Sequence, residues 1–339
     1  MKLSFPFRCG VALLFAAGFA LSAATAVPAG FPVIISVNTT GDGDDAFPGD
    51  GQCETAVGNG LCTLRAAIEE ANAHAGADGI FFDIPTSDPG YFSGTWFIQP
   101  SRALPDITDS VNINGPSTGK VLIDGGGDPR FGIRIFNVTT AGTVNISGLT
   151  IADGYISGGQ FGAAIQNVNG GTINLSTCTL SNNQSEGASS QNIGGGGAIY
   201  NASNGTLNVT GCIFRFNRGN ADPYVGYGGG IWNKTGTVHI SNSTFDHNQS
   251  SYRGGAISNS GGIVTVIGST FYGNGGAQGG AISSDAGTVS VTNCTFYANI
   301  AYAFDQGYGG AIINFNKSVL NLTNSTITAN VSNYGGSGL

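Results

Sequence analysis

The second half of the chain repeats one pattern, and this repeat constrains the possible fold more than any other feature of the sequence. GGAISNSGGIVTVIGSTFYGN at residues 254–274 returns almost unchanged as GGAISSDAGTVSVTNCTFYAN at residues 279–299. The isoleucine of the GGAI-like element recurs with steps of 34, 32, 26, 25 and 30 residues, at Ile165, Ile199, Ile231, Ile257, Ile282 and Ile312. A small residue follows each isoleucine by 12 or 13 positions, at Cys178, Cys212, Ser243, Ser269, Cys294 and Ser325. The variation in repeat length therefore falls in one segment of each repeat.

Apolar residues alternate with polar ones inside the constant part of each repeat. Val264 and Val266 are two positions apart in one repeat, and Val289 and Val291 occupy the same places in the next. Alternate side chains of a strand point to the same face, so these pairs indicate short strands with one buried face. Because no helical period is present, the repeat predicts an all-β solenoid in which three short strands per turn pair with the turns above and below.

Stacking also accounts for the asparagine that closes each FxxN-like element. Identical side chains at stacked positions can form an amide ladder that satisfies the backbone of the turns. We expect this structural role, rather than ligand binding, for Asn183, Asn217, Asn248, Asn274, Asn299 and Asn330.

Residues 1–26 have the features of a signal peptide. Lys2 and Arg8 precede a long apolar run that ends in Ala24-Thr25-Ala26, the small-x-small pattern of a cleavage site. We expect cleavage near Ala26 and a chain that is extracellular or at the bacterial cell surface; a retained membrane anchor is the alternative. No later apolar run approaches ~20 residues, so no integral span is expected in the mature chain.

Residues 27–85 precede the repeats and have a different composition. FPVIISVNTT indicates a strand, and TLRAAIEEANAH indicates an amphipathic helix with Leu64, Ile68, Ala71 and Ala75 on one side. Such a helix could cover the first turn of a solenoid, whose strand edge would otherwise be open. Between strand and helix lies an acidic loop with Asp42, Asp44, Asp45 and Asp50, which we interpret as a solvated hairpin, with a Ca²⁺ site as the alternative. The solenoid is assigned to residues 86–339, with GGAI/FxxN repeats from about residue 160.

Five cysteines remain after the signal peptide. Cys53 and Cys62 flank a short loop, and in an exported chain we expect a disulfide between them. Cys178 and Cys212 occupy one stacked position in adjacent turns, where we expect two buried thiols, with a bridge as the alternative. Cys294 is expected to be a buried free thiol. No spacing of Cys and His resembles a zinc site, and we predict neither a metal nor a cofactor.

CTLRAAIEEAN at residues 62–72, followed by GADGIFFDIP, resembles the N-terminal CSLREA-type domain found at the head of exported bacterial β-helix proteins. The match extends through roughly residues 32–155. The family's Ser-Leu-Arg-Glu would form a capping box at the start of the helix. This chain has Thr63-Leu64-Arg65-Ala66, which keeps the hydroxyl and lacks the glutamate. We therefore expect a weaker cap on the same fold.

The repeats contain the motifs GGAI at 254, 279 and 309, FRFN at 214, FDHN at 245, FYGN at 271 and FYAN at 296. With these motifs, the repeats are similar to those of polymorphic outer membrane proteins of the chlamydia type. The resemblance implies a right-handed parallel β-helix that acts as a surface-exposed passenger, in some members an adhesin, carried by a C-terminal barrel. The sequence stops at NYGGSGL, where the next GGAI element would begin. We therefore expect a C-terminally truncated chain and leave the mode of attachment open.

Composition and charge exclude some partners. Only 12 residues are Lys or Arg, against 20 Asp and Glu. This balance argues against nucleic acid and anionic membranes, since both require a basic surface. We expect a monomer.

Catalysis is the alternative function. Some parallel β-helices are polysaccharide lyases or glycoside hydrolases, which need clustered carboxylates, often with Ca²⁺ and a basic residue. The nearest approach to such a cluster is Asp124, Asp128, Arg130 and Arg134 in IDGGGDPRFGIR. A plain solenoid turn explains these residues better, so no catalytic residue is assigned.

The variable segments of the repeats suggest binding instead. Insertions in a solenoid gather on one face, which often carries the recognition surface. Here they bring together Tyr224, Tyr227, Tyr302, Phe304 and Tyr308. Exposed rings beside uncharged polar groups suit a sugar or a protein partner, although these rings could also pack over the loops. We predict an exported, non-catalytic passenger that binds a glycan or a surface protein.

Overall fold

The computed structural model describes residues 32–130, 132–187, 193–220, 225–302 and 307–339. The predicted signal peptide, with its cleavage site near Ala26, lies outside the described residues. Within them, the chain is a parallel β-helix with one short helix near its start, as the repeat predicts. Coils of the chain stack along one axis, and equivalent strands of successive coils form long sheets.

Two ten-stranded sheets run the length of the solenoid. Sheet 1 consists of Ile34–Val37, Asp78–Phe82, Val111–Asn114, Thr143–Ser147, Thr172–Ser176, Thr206–Thr210, Thr237–Ser241, Ile263–Ile267, Thr288–Thr292 and Val319–Thr323. Sheet 2 consists of Tyr91–Phe92, Thr95–Ile98, Lys120–Asp124, Leu149–Ala152, Thr179–Ser181, Ile213–Arg215, Thr244–Asp246, Thr270–Tyr272, Thr295–Tyr297 and Thr326–Thr328. The described pairings in these sheets are parallel except for the first hairpin of sheet 2.

Two seven-stranded sheets complete the coils. Sheet 3 consists of Tyr155–Ile156, Gln184–Glu186, Arg218–Asn220, Gln249–Ser250, Gly275–Gly276, Ile300–Ala301 and Val331–Ser332. Sheet 4 consists of Phe136–Val138, Ile165–Asn167, Ile199–Asn201, Ile231–Asn233, Ile257–Ser260, Ile282–Asp285 and Ile312–Phe315. A further short pair joins Gly194–Gly195 to Gly226–Tyr227. The chain passes through sheets 4, 1, 2 and 3 in each repeat.

The register agrees with the sequence landmarks. Ile231 pairs with Ile257, and Ile257 pairs with Ile282, so the GGAI elements of successive repeats stack directly. From Phe136 onward each described coil has four strands rather than the expected three, whereas the earlier coils have strands only in sheets 1 and 2. The additional strand, in sheet 3, is only two or three residues long in each of these coils, and so short a segment leaves no detectable alternation in the sequence.

One continuous hydrophobic core fills the solenoid from Ile35 to Ile312. The core contains a stack of four phenylalanines from successive coils, Phe214, Phe245, Phe271 and Phe296. The ring centroids of neighbours lie 4.6–4.9 Å apart, and their planes are parallel within 7°. This separation equals the spacing of paired strands, because each ring occupies the same position in its own coil.

The expected asparagine ladder runs beside the phenylalanines. Asn274 Nδ2 donates to Asn299 Oδ1 at 2.9 Å and to the carbonyl oxygen of Phe245 at 2.9 Å. The backbone N–H of Asn274 also donates to Asn299 Oδ1, at 3.0 Å. The same contacts link Asn183, Asn217, Asn248, Asn274, Asn299 and Asn330. These amides are buried, and their bonds satisfy the backbone where each coil turns from sheet 2 to sheet 3.

The helix at Leu64–Ala73 packs against the first strands of sheet 1. Thr63 is its N-cap and accepts a hydrogen bond from the Ala66 N–H at 3.0 Å, as expected from the hydroxyl at this position. Ala66, at the position where a capping box has its glutamate, is completely buried and packs against the protein instead. The expected apolar face holds for Leu64, Ile68 and Ala71 but is wrong for Ala75, which is exposed beyond the end of the helix.

The cysteines also take the predicted states. Cys53 and Cys62 form a disulfide. Cys178, Cys212 and Cys294 are buried free thiols, and Cys178 N–H contacts Cys212 Sγ at 3.4 Å. In the part of the chain that the structure describes, no helix has the length and apolar character needed to cross a bilayer.

Candidate functional site

The two central residues of each FxxN element face outward. The phenylalanine and the asparagine point into the core, so the residues between them reach the surface at the junction of sheets 2 and 3. In four successive coils these outward pairs are Arg215 and Phe216, Asp246 and His247, Tyr272 and Gly273, and Tyr297 and Ala298. This junction therefore presents one aromatic ring per coil.

These rings form a continuous exposed line, which we call the ring row: Phe216, His247, Tyr272 and Tyr297. The centroids of Phe216 and His247 are 5.5 Å apart, and those of His247 and Tyr272 are 5.0 Å apart. Tyr272 and Tyr297 follow at 5.5 Å. Phe216, Tyr272 and Tyr297 are each 40–46% exposed to solvent. Three large rings exposed in one line are uncommon on a soluble surface and mark an interaction site.

Phe216 is also held in an unfavourable backbone conformation. Its φ is +55°, in the left-handed region that bulky residues rarely adopt. The neighbouring Asn217 fixes the turn through its place in the buried amide ladder. The equivalent residue is glycine at 273 and alanine at 298, so the turn itself does not require an aromatic side chain. Positive φ also occurs at the equivalent residues Asn182, His247 and Ala329, so this conformation is a property of the solenoid turn.

Two adjoining hollows lie beside the ring row. The larger, of about 430 Å³, lies on sheet 2 and is lined by Thr95, Phe97, Lys120, Leu122, Thr150, Thr179, Ser181, Ile213 and Arg215. The smaller, of about 320 Å³, lies over the junction and is lined by Asn182, Gln184, Phe216, Arg218, His247 and Gln249. Lys120, Arg215 and Arg218 are exposed basic residues in these linings, and the Arg215 guanidinium lies 5.5 Å from the centroid of Phe216.

The predicted binding tyrosines are divided between different surfaces. Tyr302 belongs to the junction of sheets 2 and 3, since its ring lies over Gly275 and its hydroxyl donates to Ser250 O at 3.3 Å. Tyr308 is 43% exposed on a different ladder, between sheets 3 and 4, where it lies near Tyr334. Tyr224 and Phe304 lie outside the described residues.

Tyr227 packs into a satellite cluster rather than standing free. Its ring stacks on Trp232 with centroids 4.8 Å apart, and Trp232 also contacts Phe161 and Tyr200. Burial in this cluster raises the pKa of Tyr227. This packing is the alternative that the sequence left open for the loop aromatics.

The polar residues considered for catalysis are only partly brought together. Asp124, Asp128 and Arg130 line a shallow surface hollow together with Asp153. Burial, and secondarily the nearby Asp124 carboxylate, raises the pKa of Asp153. Arg134 points elsewhere and donates to the carbonyl oxygens of Phe161 and Gly162, each at 3.2 Å. Burial lowers the pKa of Arg134 to about 10.

The acidic loop contacts basic and polar groups of the protein. Asp42 forms an ion pair with the buried Arg65 at 2.9 Å and accepts hydrogen bonds from Ser101. Asp44 forms an ion pair with Arg102, and Asp50 accepts a bond from the Gln52 N–H. Asp45 accepts from the Phe47 N–H, and burial raises its pKa. Among the described residues, no group of three or more His, Cys, Asp or Glu side chains is arranged to hold a metal ion.

The sequence does contain a signal for the ring row, but it lies at the variable places of the FxxN elements rather than at the repeated ones. FRFN, FDHN, FYGN and FYAN each carry an aromatic or imidazole ring at one of the two variable places. Strand alternation turns the first variable place outward, and the corner turn with positive φ at the second place keeps that residue outward before the buried asparagine. Comparisons of the chain with protein-family models, with curated proteins and with solved structures found no match in any of the three.

Proposed function

We propose that this chain is an exported, non-catalytic β-helix protein that binds a linear glycan along the junction of sheets 2 and 3. The observation that carries the proposal is the ring row, with three rings 40–46% exposed on consecutive or near-consecutive coils. Exposed aromatic faces stack on the apolar faces of sugars, and their hydroxyl groups add hydrogen bonds.

A repeating polymer suits this surface better than a folded protein does. Successive coils present equivalent positions at about 4.8 Å intervals, so a chain of similar sugar units can make the same contact several times. The two hollows beside the rings contain uncharged groups such as Thr150, Thr179, Gln184 and Gln249, which can bond to sugar hydroxyls. Tyr302 extends the same surface onto sheet 3.

The proposed location outside the cell rests on the signal-like residues 1–26 and on the disulfide between Cys53 and Cys62. Together with this location, we propose that the chain is a surface passenger related to the polymorphic outer membrane proteins.

The second candidate is a polysaccharide lyase or hydrolase acting at Asp124 and Asp153. The raised pKa of Asp153 beside a second carboxylate favours it, since a general acid needs such a shift. Among the described residues, no aromatic ring that could stack on a sugar lines the hollow around these carboxylates, which has a volume of about 760 Å³.

One experiment addresses both candidates. The purified exported chain is passed over a panel of immobilised neutral and acidic polysaccharides, with and without Ca²⁺, and the eluate is assayed for new reducing and unsaturated ends. Retention without cleavage is expected, and cleavage that is lost in Asp153→Asn overturns the non-catalytic assignment.

A pair of variants locates the site. Tyr272→Ala combined with Tyr297→Ala should weaken retention at least tenfold, which corresponds to about 1.4 kcal/mol. Tyr308→Ala is the matched control, because Tyr308 has a similar exposed fraction on another surface. Loss of retention in Tyr308→Ala alone would place the site between sheets 3 and 4. Failure of every polysaccharide to bind would overturn glycan recognition and leave a protein partner.

A further inference from the structure

We infer that the glycan is a polyanion whose carboxylate or sulfate groups bind Lys120, Arg215 and Arg218 in the hollows beside the ring row. This inference rests on the proposed function and names the chemical class of its ligand.

The charge of the two hollows is opposite to that of the whole protein. The full chain has a formal net charge of −8. The hollows on sheet 2 and over the junction are nevertheless lined by Lys120, Arg215 and Arg218, and their linings contain no aspartate or glutamate. A basic surface maintained on an acidic protein attracts anionic ligands and steers their approach.

Among the described residues, these three cations have no counter-ion in direct contact. Within the described ranges, no ion pair or side-chain hydrogen bond involves Lys120, Arg215 or Arg218. Other arginines of the chain are paired, as Arg65 is with Asp42 and Arg253 is with Asp285. The basic groups of the hollows are therefore available to a ligand, and a guanidinium can hold a carboxylate or sulfate through two parallel hydrogen bonds.

Two acidic residues beside this surface have other partners. Asp246 follows Arg215 on the same ladder of sheet 2 and contacts the imidazole of His247. Glu186, at the end of its sheet 3 strand, accepts hydrogen bonds from Tyr155 and Gln184. Neither carboxylate neutralises the arginines by direct contact.

The arrangement also gives the direction of the ligand. Lys120 lies three coils before Arg215, about 14 Å along the axis at about 4.8 Å per coil, and on a different ladder. The residue of its strand that aligns with Arg215 is Asp124, four positions further on. Tyr297 lies three coils beyond Arg215. A linear polyanion that runs parallel to the axis would contact the arginines and then the stacked tyrosines, and it would reach Lys120 only by crossing the strands of sheet 2 obliquely.

The test uses two matched pairs of polymers. Polygalacturonate is compared with the same polymer after reduction of its carboxylates to alcohols, and dextran sulfate is compared with dextran. The charged member of at least one pair should bind at least tenfold more tightly. Raising NaCl from about 0.1 M to about 1 M shortens the screening length from about 10 Å to about 3 Å and should weaken that binding strongly.

Two double variants separate the site from the overall charge. Arg215→Gln with Arg218→Gln should reduce binding of the charged polymer at least tenfold and leave the neutral polymer unchanged. Lys234→Gln with Lys317→Gln removes the same charge elsewhere and should have no comparable effect. Equal losses in the two double variants would mean only general attraction to polyanions and would overturn the site.

The inference and the proposed function can fail separately. If neutral and charged polymers bind equally and the tyrosine variants still weaken binding, the polyanion assignment is wrong while glycan recognition stands. If no polymer is retained, neither the neutral nor the charged, both are overturned.

Discussion

Tyr272 and Tyr297 stack on adjacent coils with ring centroids 5.5 Å apart and ring planes 9° apart. Directly behind them, Phe271 and Phe296 stack in the core at 4.6 Å and 3°. Neighbouring residues of one strand thus contribute to two parallel columns of rings, one exposed and one buried. The outer column is available for binding because the inner column provides the packing.

Phe271→Ala should therefore be far more destabilising than Tyr272→Ala. Removing the buried ring leaves a cavity between two others, and such changes cost about 3–5 kcal/mol of unfolding free energy. Removing the exposed ring of Tyr272 should change the unfolding free energy by no more than about 0.5 kcal/mol. Denaturant unfolding of both variants measures the difference, and equal losses would mean that the exposed column also holds the coils together.

Asn274→Asp should destabilise the solenoid strongly at neutral pH. The change replaces a buried amide donor by an acceptor that faces Asn299 Oδ1 and the Phe245 carbonyl oxygen. An uncompensated buried charge costs about 3–5 kcal/mol.

Burial raises the folded-state pKa of the new carboxyl above its unfolded value of about 3.9, because only one of its oxygens keeps donors, from Asn248, while the other faces two acceptor oxygens. The loss should therefore be small near pH 3 and grow as the pH rises through the folded-state pKa. Asn242→Asp, at an exposed turn position, is the control and should have little effect at either pH.

Asp88 should stabilise the N-terminal region in a pH-dependent way. Partial burial alone would raise its pKa, but hydrogen bonds from Thr40, Gly90 and Thr39 outweigh burial and lower it. A lowered folded-state pKa gives stability that is present above the ordinary value of 3.8 and is lost as the pH falls through the folded-state pKa. The difference in unfolding free energy between the native chain and Asp88→Asn should thus be largest near pH 6 and shrink below pH ~3. A constant difference across this range would contradict an ionic origin.

Thr63→Ala should weaken the start of the helix at Leu64–Ala73 by about 1 kcal/mol, because it removes the cap on the Ala66 N–H. Thr63→Ser keeps the hydroxyl and is the matched control.

Ala66→Glu should not restore a capping box. Ala66 is completely buried, so a larger charged side chain would be forced into the packed side of the helix at a cost of about 1–3 kcal/mol or more. Thermal unfolding of this variant tests the point, and a gain in stability would contradict it.

The sequence predicts the core of this fold well, since the core is periodic. The constant distance from Ile257 to Ser269 and from Ile282 to Cys294 fixes the register of two coils, and the structure pairs these coils as expected. The strands of sheet 3 are too short to leave a pattern in the sequence. Each of them follows the buried asparagine that ends the turn from sheet 2.

The candidate site was harder to predict because its residues are the ones that vary. Phe216, His247 and Tyr297 differ in type, and only their shared outward place connects them. The loop tyrosines share a residue type but not an environment, since Tyr227 packs on Trp232 while Tyr302 lies over Gly275. Which partner a loop ring meets depends on tertiary packing that no local pattern records.

The constant register between coils also affects how such a surface can change over evolutionary time. Each coil pairs only with its two neighbours, so duplication of one repeat inserts a complete rung without disturbing the others. A duplicate of residues 254–278 or 279–308 would bring its own buried phenylalanine and its own outward tyrosine. Under the proposed function, the number of repeats would set the length of polymer that the protein binds, and a lineage could adjust this length by copying or deleting one repeat.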